Sequence, residues 1–256
     1  MTPPVLEHPS LSALPGVRHA FFSREGGVST GIYRGLNVGR GSRDDPAAVA
    51  ENRRRAAGCF GQAEAALLTC HQIHSRLVHV TDLSFGVSHP EGDAVVVTRP
   101  GLICGALAAD CAPILFADGQ ARVVGAAHAG WKGALGGVAE ATIDAMEAHG
   151  AVRSRIVAVV GPCIAQASYE VGREFLDRFV SEDAASEACF APGESADKRQ
   201  FDLPGYVLGR LARAGIGSAA WVGVDTCADE RYFSNRRAFH RGEPDYGRLL
   251  SAIMLV

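Results

Sequence analysis

The stretch Ala112-Pro113-Ile114-Leu115-Phe116-Ala117, then Asp118-Gly119-Gln120-Ala121, then Arg122-Val123-Val124-Gly125-Ala126-Ala127 reads as two short apolar strands around a turn signal. It predicts a β-hairpin, and its flanks carry Cys111 and His128. If Gly119-Gln120 forms the two-residue loop, Cys111 stands directly opposite His128. If Asp118-Gly119 forms it, His128 moves to the diagonal neighbour on the same face. Either register brings a thiol and an imidazole within roughly 4.5–8 Å of each other. That separation suits two ligands of one metal, or a nucleophile and its base. The structural alternative is a hydrogen-bonded core histidine beside a packing cysteine.

Working outward, Val17 to Ser23 reads as a strand running into Arg24-Glu25-Gly26-Gly27-Val28-Ser29, where paired glycines allow a tight turn. Asp45-Pro46 opens a helix through about Ala57, with Gly58 closing it. Strands are expected at about 66–70, 76–81, 93–98, 102–108, 112–117 and 122–128. Most connections between them are too short for crossover helices, so the sheet should be largely antiparallel. Trp131 to His149 follows a helical period ended by Gly150. A strand at 155–160, a helix near 168–180, a polar, mobile loop at 181–199, a helix at 204–214 and strands at 218–224 and 248–255 complete the chain. This mixed order predicts a single α+β domain over 1–256, with mixed, largely antiparallel β-sheets flanked by helices.

Composition limits the function classes. The chain has 256 residues, 47% hydrophobic and 21% charged, with a formal charge of −3. That gives no electrostatic footprint for nucleic acid or an anionic membrane and favours a small-molecule partner. No leader pattern and no membrane-length apolar run is present, so a cytoplasmic location is expected. The seven cysteines are odd in number, irregularly spaced and free of CxxC pairs, which argues against a disulfide scaffold or zinc ribbon.

A third partner for Cys111 and His128 is expected from His71-Gln72-Ile73-His74. In extended chain, histidines three apart point to opposite faces, so one of the two joins the cluster and the other points away. Two histidines and a cysteine leave one position open on zinc, the arrangement of a catalytic site. Two glycine-bearing stretches carry less. Gly125 to Lys132 misses the phosphate-loop spacing, and Gly161-Pro162-Cys163 reads as a turn with a structural thiol.

Gln72-Ile73-His74, Ala109-Asp110-Cys111-Ala112-Pro113 and Ala127-His128-Ala129-Gly130-Trp131 resemble the signature blocks of the YfiH family. That family is also called the polyphenol oxidase or laccase-domain family, and is described as peptidoglycan editing factors and as purine nucleoside phosphorylases. Leu36-Asn37-Val38-Gly39, Glu51-Asn52-Arg53, Tyr169-Glu170-Val171-Gly172 and Phe233-Ser234-Asn235-Arg236-Arg237 extend the likeness. The resemblance implies a layered α/β/β/α fold and metal ligands His74, Cys111 and His128. Asn235 and Ala238 depart from the tyrosine and aspartate usual around the two arginines, and His71 is an additional histidine.

The resemblance further implies phosphorolysis of adenosine, inosine, guanosine or S-methyl-5′-thioadenosine, with adenosine deamination. Zinc is the expected cofactor, and copper suits the same ligands. Asp110 and Arg237 are the candidate catalytic residues. Arg24, Asn37 and Arg236 are candidate substrate contacts, with Arg236 and Arg237 suited to bidentate phosphate binding. Asp225 and Cys227 echo a family block and are expected to be structural. The alternatives are a cysteine or metal-dependent hydrolase editing UDP-muramoyl peptidoglycan precursors, a copper-dependent polyphenol oxidase, or a non-enzymatic metal-binding module. Nine histidines with no HxH pair do not supply the copper cluster of a true laccase.

Overall fold

The runs 112–118 and 123–129 are buried along their whole length, so both faces of the hairpin must be covered. The computed structural model, which describes residues 2–86 and 89–256, shows what covers them. Its first half comprises β1 (Val5–Leu6), α1 (Pro9–Ser12), β2 (Val17–Phe22), α2 (Pro46–Gly58), β3 (Leu67–Leu68), β4 (Val78–Val80), β5 (Ala94–Val97), β6 (Ile103–Ala108), β7 (Ala112–Asp118) and β8 (Val123–Ala129). The second half comprises α3 (Trp131–Gly136), α4 (Val138–Ala148), β9 (Val157–Val160), β10 (Glu170–Gly172), α5 (Arg173–Glu182), β11 (Phe190–Pro192), β12 (Lys198–Phe201), α6 (Leu203–Arg213), β13 (Ser218–Trp221), α7 (Asn235–His240) and β14 (Leu249–Leu255).

A six-stranded sheet, β13-β9-β7-β8-β5-β4, packs on a five-stranded sheet, β1-β2-β14-β6-β3. Alternation along each strand sorts side chains between layers. Leu115 and Val124 face Ile253 and Cys104 between the sheets. Ile114 and Phe116 face Ile143 and Met146 of α4 and Val207 and Leu211 of α6. On the far side, Ala56 and Ala57 of α2 cover Phe22, Ala252 and Met254. The result is the expected α+β class in an α/β/β/α order. Among the described residues only β3–β6, β4–β5 and β9–β13 pair in parallel.

The structure corrects the hairpin register. Pro113, not Cys111, is the partner of His128, and Asp118 pairs with Val123. The loop is therefore the four residues Gly119 to Arg122. Asp118 accepts hydrogen bonds from the amides of Gln120 and Ala121 (3.0 and 3.1 Å), and Arg122 closes the loop at φ 55°. The register moves by two residues, which preserves the face: Cys111 and His128 become diagonal neighbours.

Three further expectations change. The helix expected near 168–180 starts only at Arg173, with Glu170–Gly172 paired as β10 instead. The helix expected over 131–149 breaks at Gly137, whose φ of 88° ends α3 and starts α4. The loop expected to be mobile at 181–199 is ordered into part of a third sheet, β10-β12-β11. Phe190 of β11 stacks on Phe201 of β12 at 4.7 Å, and Phe179 of α5 packs on Phe201 at the same 4.7 Å. Isolated aromatics in polar sequence carry no periodic signal, so this cluster is invisible until the segments meet.

Candidate metal centre and substrate cavities

Three segments converge at one end of the hairpin. His128 is the penultimate residue of β8, Cys111 immediately precedes β7, and His74 lies in a turn after β3. Their ligand atoms all lie within 4.8 Å of one another. The two imidazoles meet edge to face at 4.9 Å, and Cys111 Sγ is 3.9 Å from His74 Nε2.

Asp93 holds this arrangement, and the sequence reading passed over it. It stands opposite His128 in the β5–β8 register, one residue before β5. Its carbonyl accepts from His128 N–H at 2.7 Å, and its Oδ1 lies 2.9 Å from His128 Nδ1. The same carboxylate accepts from the amides of Ile73, His74 and Ser75 at 3.3, 3.0 and 2.6 Å and from Ser75 Oγ at 2.7 Å. It thereby stabilises the left-handed turn in which His74 sits at φ 60°. Binding Nδ1 leaves His128 Nε2 for a metal. The only sequence signal was an acid before a buried strand; the pairing that gives it meaning is non-local.

Charge in the cluster follows from these contacts. Burial opposes ionisation of Cys111, but the attraction of His128, then hydrogen bonds from His128 and His74, hold the thiol below its usual value. Burial likewise disfavours protonated His128, yet Cys111 and Asp93 raise it. Burial would raise Asp93, whereas hydrogen bonds from His128 and Ser75 bring it down to about 2. A folded value depressed from 3.8 to about 2 stabilises the fold fully above pH 4 and is lost as pH falls through about 2. Asp93→Asn should therefore cost about 2 kcal/mol of stability at neutral pH, read by denaturant unfolding. It should also weaken metal binding by about 10–100-fold, read by competition with a chelator. Unchanged affinity would show that Asp93 does not orient His128.

The donor set fits a metal, and the backbone makes room for it. A Cβ at Gly130 would approach His74 Cδ2 to 2.6 Å and Cys111 Sγ to 3.0 Å. Gly130→Ala is expected to keep the fold and lower metal affinity at least about tenfold, measured by the same chelator competition.

The cluster lies in the wall shared by two cavities. One, of about 210 Å³, is lined by Trp131, Tyr169, Asn235 and Arg236 together with His74 and Cys111. The other, of about 280 Å³, is lined by His71, Tyr246 and Arg248 together with all three cluster residues. Gln72 anchors the intervening turn, pairing its amide with the backbone of Leu107 at 2.7 and 2.8 Å.

Other residues singled out from sequence fall in different places. Arg236 lines the first cavity, with Cζ 5.3 Å from the Tyr169 ring centroid and Nη1 donating to the Glu170 carbonyl at 2.8 Å. Arg237 points away from it. Its guanidinium donates to the carbonyls of Thr226 (2.7 Å), Cys227 (3.0 Å) and Tyr232, so its capacity is spent on the loop before α7. Arg24 also lies outside both cavities, donating to the Arg34 carbonyl at 2.9 Å with Cζ 4.4 Å from the Phe233 ring centroid. Asn37 is fully buried and uses all its hydrogen-bonding capacity: it donates to Ser42 and Asp44 and accepts from Gly39 and Arg248. A substrate contact at Asn37 is thus excluded by geometry.

Asp110 borders the first cavity but bonds none of the three ligands. Its oxygens accept from Thr226 Oγ1 (2.7 Å), Ser234 Oγ (2.9 Å) and the Arg236 amide (2.6 Å). Burial raises its carboxyl despite these donors. Its position is that of an anchor for α7, the helix that presents Arg236. Asp225 accepts from Ser168 Oγ at 2.6 Å and from the Cys227 amide at 2.9 Å, a structural arrangement, and Cys163 is fully buried. His71 does not point away from the site as strand parity required, because the chain leaves the extended conformation at His74.

Residues 18–256 match the family described as multi-copper polyphenol oxidoreductase laccase. The chain belongs to this family, the YfiH family. A Deinococcus radiodurans relative named purine nucleoside phosphorylase is 39% identical over 91% of this chain and 87% of its own length. Purine nucleoside phosphorylase YfiH of Escherichia coli is 33% identical over 94% of this chain and 95% of its own length. The crystal structure of a Neisseria meningitidis protein matches with a TM-score of 0.88 at 32% identity, covering 100% of this chain and 99% of that one. No helix of this YfiH-family chain, among the described residues, is long and apolar enough to cross a membrane.

Proposed function

We propose that this YfiH-family chain is a zinc-dependent purine nucleoside phosphorylase acting on adenosine, inosine or guanosine and S-methyl-5′-thioadenosine, with deamination of adenosine at the same site. The observation that carries this reading is the His74–Cys111–His128 cluster in the wall of the cavity that Arg236 enters. The names of its relatives add support. Zinc held by these three residues would supply a Lewis acid with an open coordination position, and copper fits the same donors.

The chain's own residues supply orientation and charge. Arg236 holds the phosphate, and Asp110 fixes the helix that carries Arg236. A phosphate oxygen forms the bond to ribose C1′ as the C1′–N9 bond breaks, and its electron pair leaves with the purine, which is then protonated. Trp131 and Tyr169 wall the cavity and limit water, which would otherwise compete with phosphate. Seven free cysteines suit a reducing cytoplasm, and a net charge of −3 suits small-molecule rather than nucleic-acid partners.

The test is release of hypoxanthine from inosine by metal-loaded protein with and without inorganic phosphate. Turnover that requires phosphate and stops on chelation is expected. Cleavage independent of phosphate would replace the phosphorylase reading with hydrolysis. Activity that survives complete metal removal would favour the Cys111–His128 pair as nucleophile and base.

A further inference from the structure

The two cavities meeting at the cluster are not equivalent. Arg236, in the smaller, has no carboxylate partner within ion-pair distance among the described residues. In the larger, Arg248 Nη1 is paired with Asp245 at 3.0 Å. The unneutralised guanidinium favours a dianion, and the neutralised one favours an uncharged group.

The larger cavity also has an aromatic–guanidinium wall. Arg248 Cζ lies 4.2 Å from the centroid of the Tyr246 ring. Gly39 permits this, since a Cβ there would meet Arg248 Cδ at 2.7 Å. A guanidinium held over a phenol ring gives a cation–π surface against which a heteroaromatic ring can pack. Gln72 is occupied by Leu107, whereas the exposed His71 ring makes no side-chain hydrogen bond among the described residues and can meet the edge of such a ring.

We propose that the His71–Tyr246–Arg248 cavity binds the purine base of a nucleoside, with His71 as an edge contact and phosphate in the adjoining cavity that Arg236 lines. The assignment rests on the phosphorylase reading for its second half. Phosphorolysis needs room for an incoming phosphate and for a departing base, and the two cavities share His74 and Cys111 in their walls. The position of His71 was set by the turn at His74, not by strand parity.

His71→Ala and His71→Gln in metal-loaded protein test it. The alanine variant should keep its metal content, raise the KM for inosine about tenfold and leave the KM for phosphate unchanged, while glutamine restores part of the loss. Inosine binding measured calorimetrically without phosphate should weaken by the same factor. Unchanged inosine binding, or a rise in the phosphate KM alone, would overturn the assignment. If the wild type binds inosine, His71→Ala weakens that binding and no phosphorolysis occurs, the base site stands and the phosphorylase reading falls.

Discussion

Replacing Cys111 by alanine should leave a folded protein that retains almost none of the roughly one zinc per chain expected of the wild type. The substitution removes the sole thiolate from a three-donor site. Two histidines remain, and His74 sits in a turn that positions it toward the missing sulfur. Losing a Lewis acid worth several kcal/mol in the transition state should lower phosphorolysis by roughly 10³-fold or more. Elemental analysis and inosine turnover on the same preparation provide the check. Full metal occupancy in Cys111→Ala would remove the cysteine from the site.

The adjacent arginines should separate just as sharply. Arg236→Ala is expected to cut phosphate-dependent inosine cleavage by roughly 10²–10³-fold while sparing adenosine deamination, which needs no phosphate. Arg237→Ala should leave several carbonyls before α7 without their donor and lower stability by about 2–3 kcal/mol. Its effect on both reactions should be similar and should follow the folded fraction. Both reactions, assayed beside a denaturant melt of each variant, distinguish these outcomes. A selective phosphate defect in Arg237→Ala would mean that its guanidinium leaves the carbonyls when substrate binds.

The contrast between these neighbours shows where sequence reading stops. Residues 236 and 237 share a motif, yet the roughly 100° step between successive positions of α7 points one guanidinium toward Tyr169 and the other toward a loop. Asn37 has the residue type of a substrate contact and is consumed by the fold. Asp93 has no motif and contacts the segments bearing two of the three candidate ligands. Each outcome depends on pairings between segments distant in the chain.

By itself the sequence determined what depends on local period and on text. The α+β class followed from short apolar runs with short connections. The capped helix at Pro46–Gly58 followed from Asp45 and Pro46, with Asp45 accepting from the Ala47 amide at 3.0 Å. The shared face of Cys111 and His128 survived a two-residue error in register because side chains alternate with a period of two. Tertiary structure alone decided which acid orients His128, which of the two adjacent arginines lines the cavity beside His74 and Cys111, and where His71 lies. Those choices depend on hydrogen bonds closed across long chain separations, whose geometry is absent from any local window of sequence.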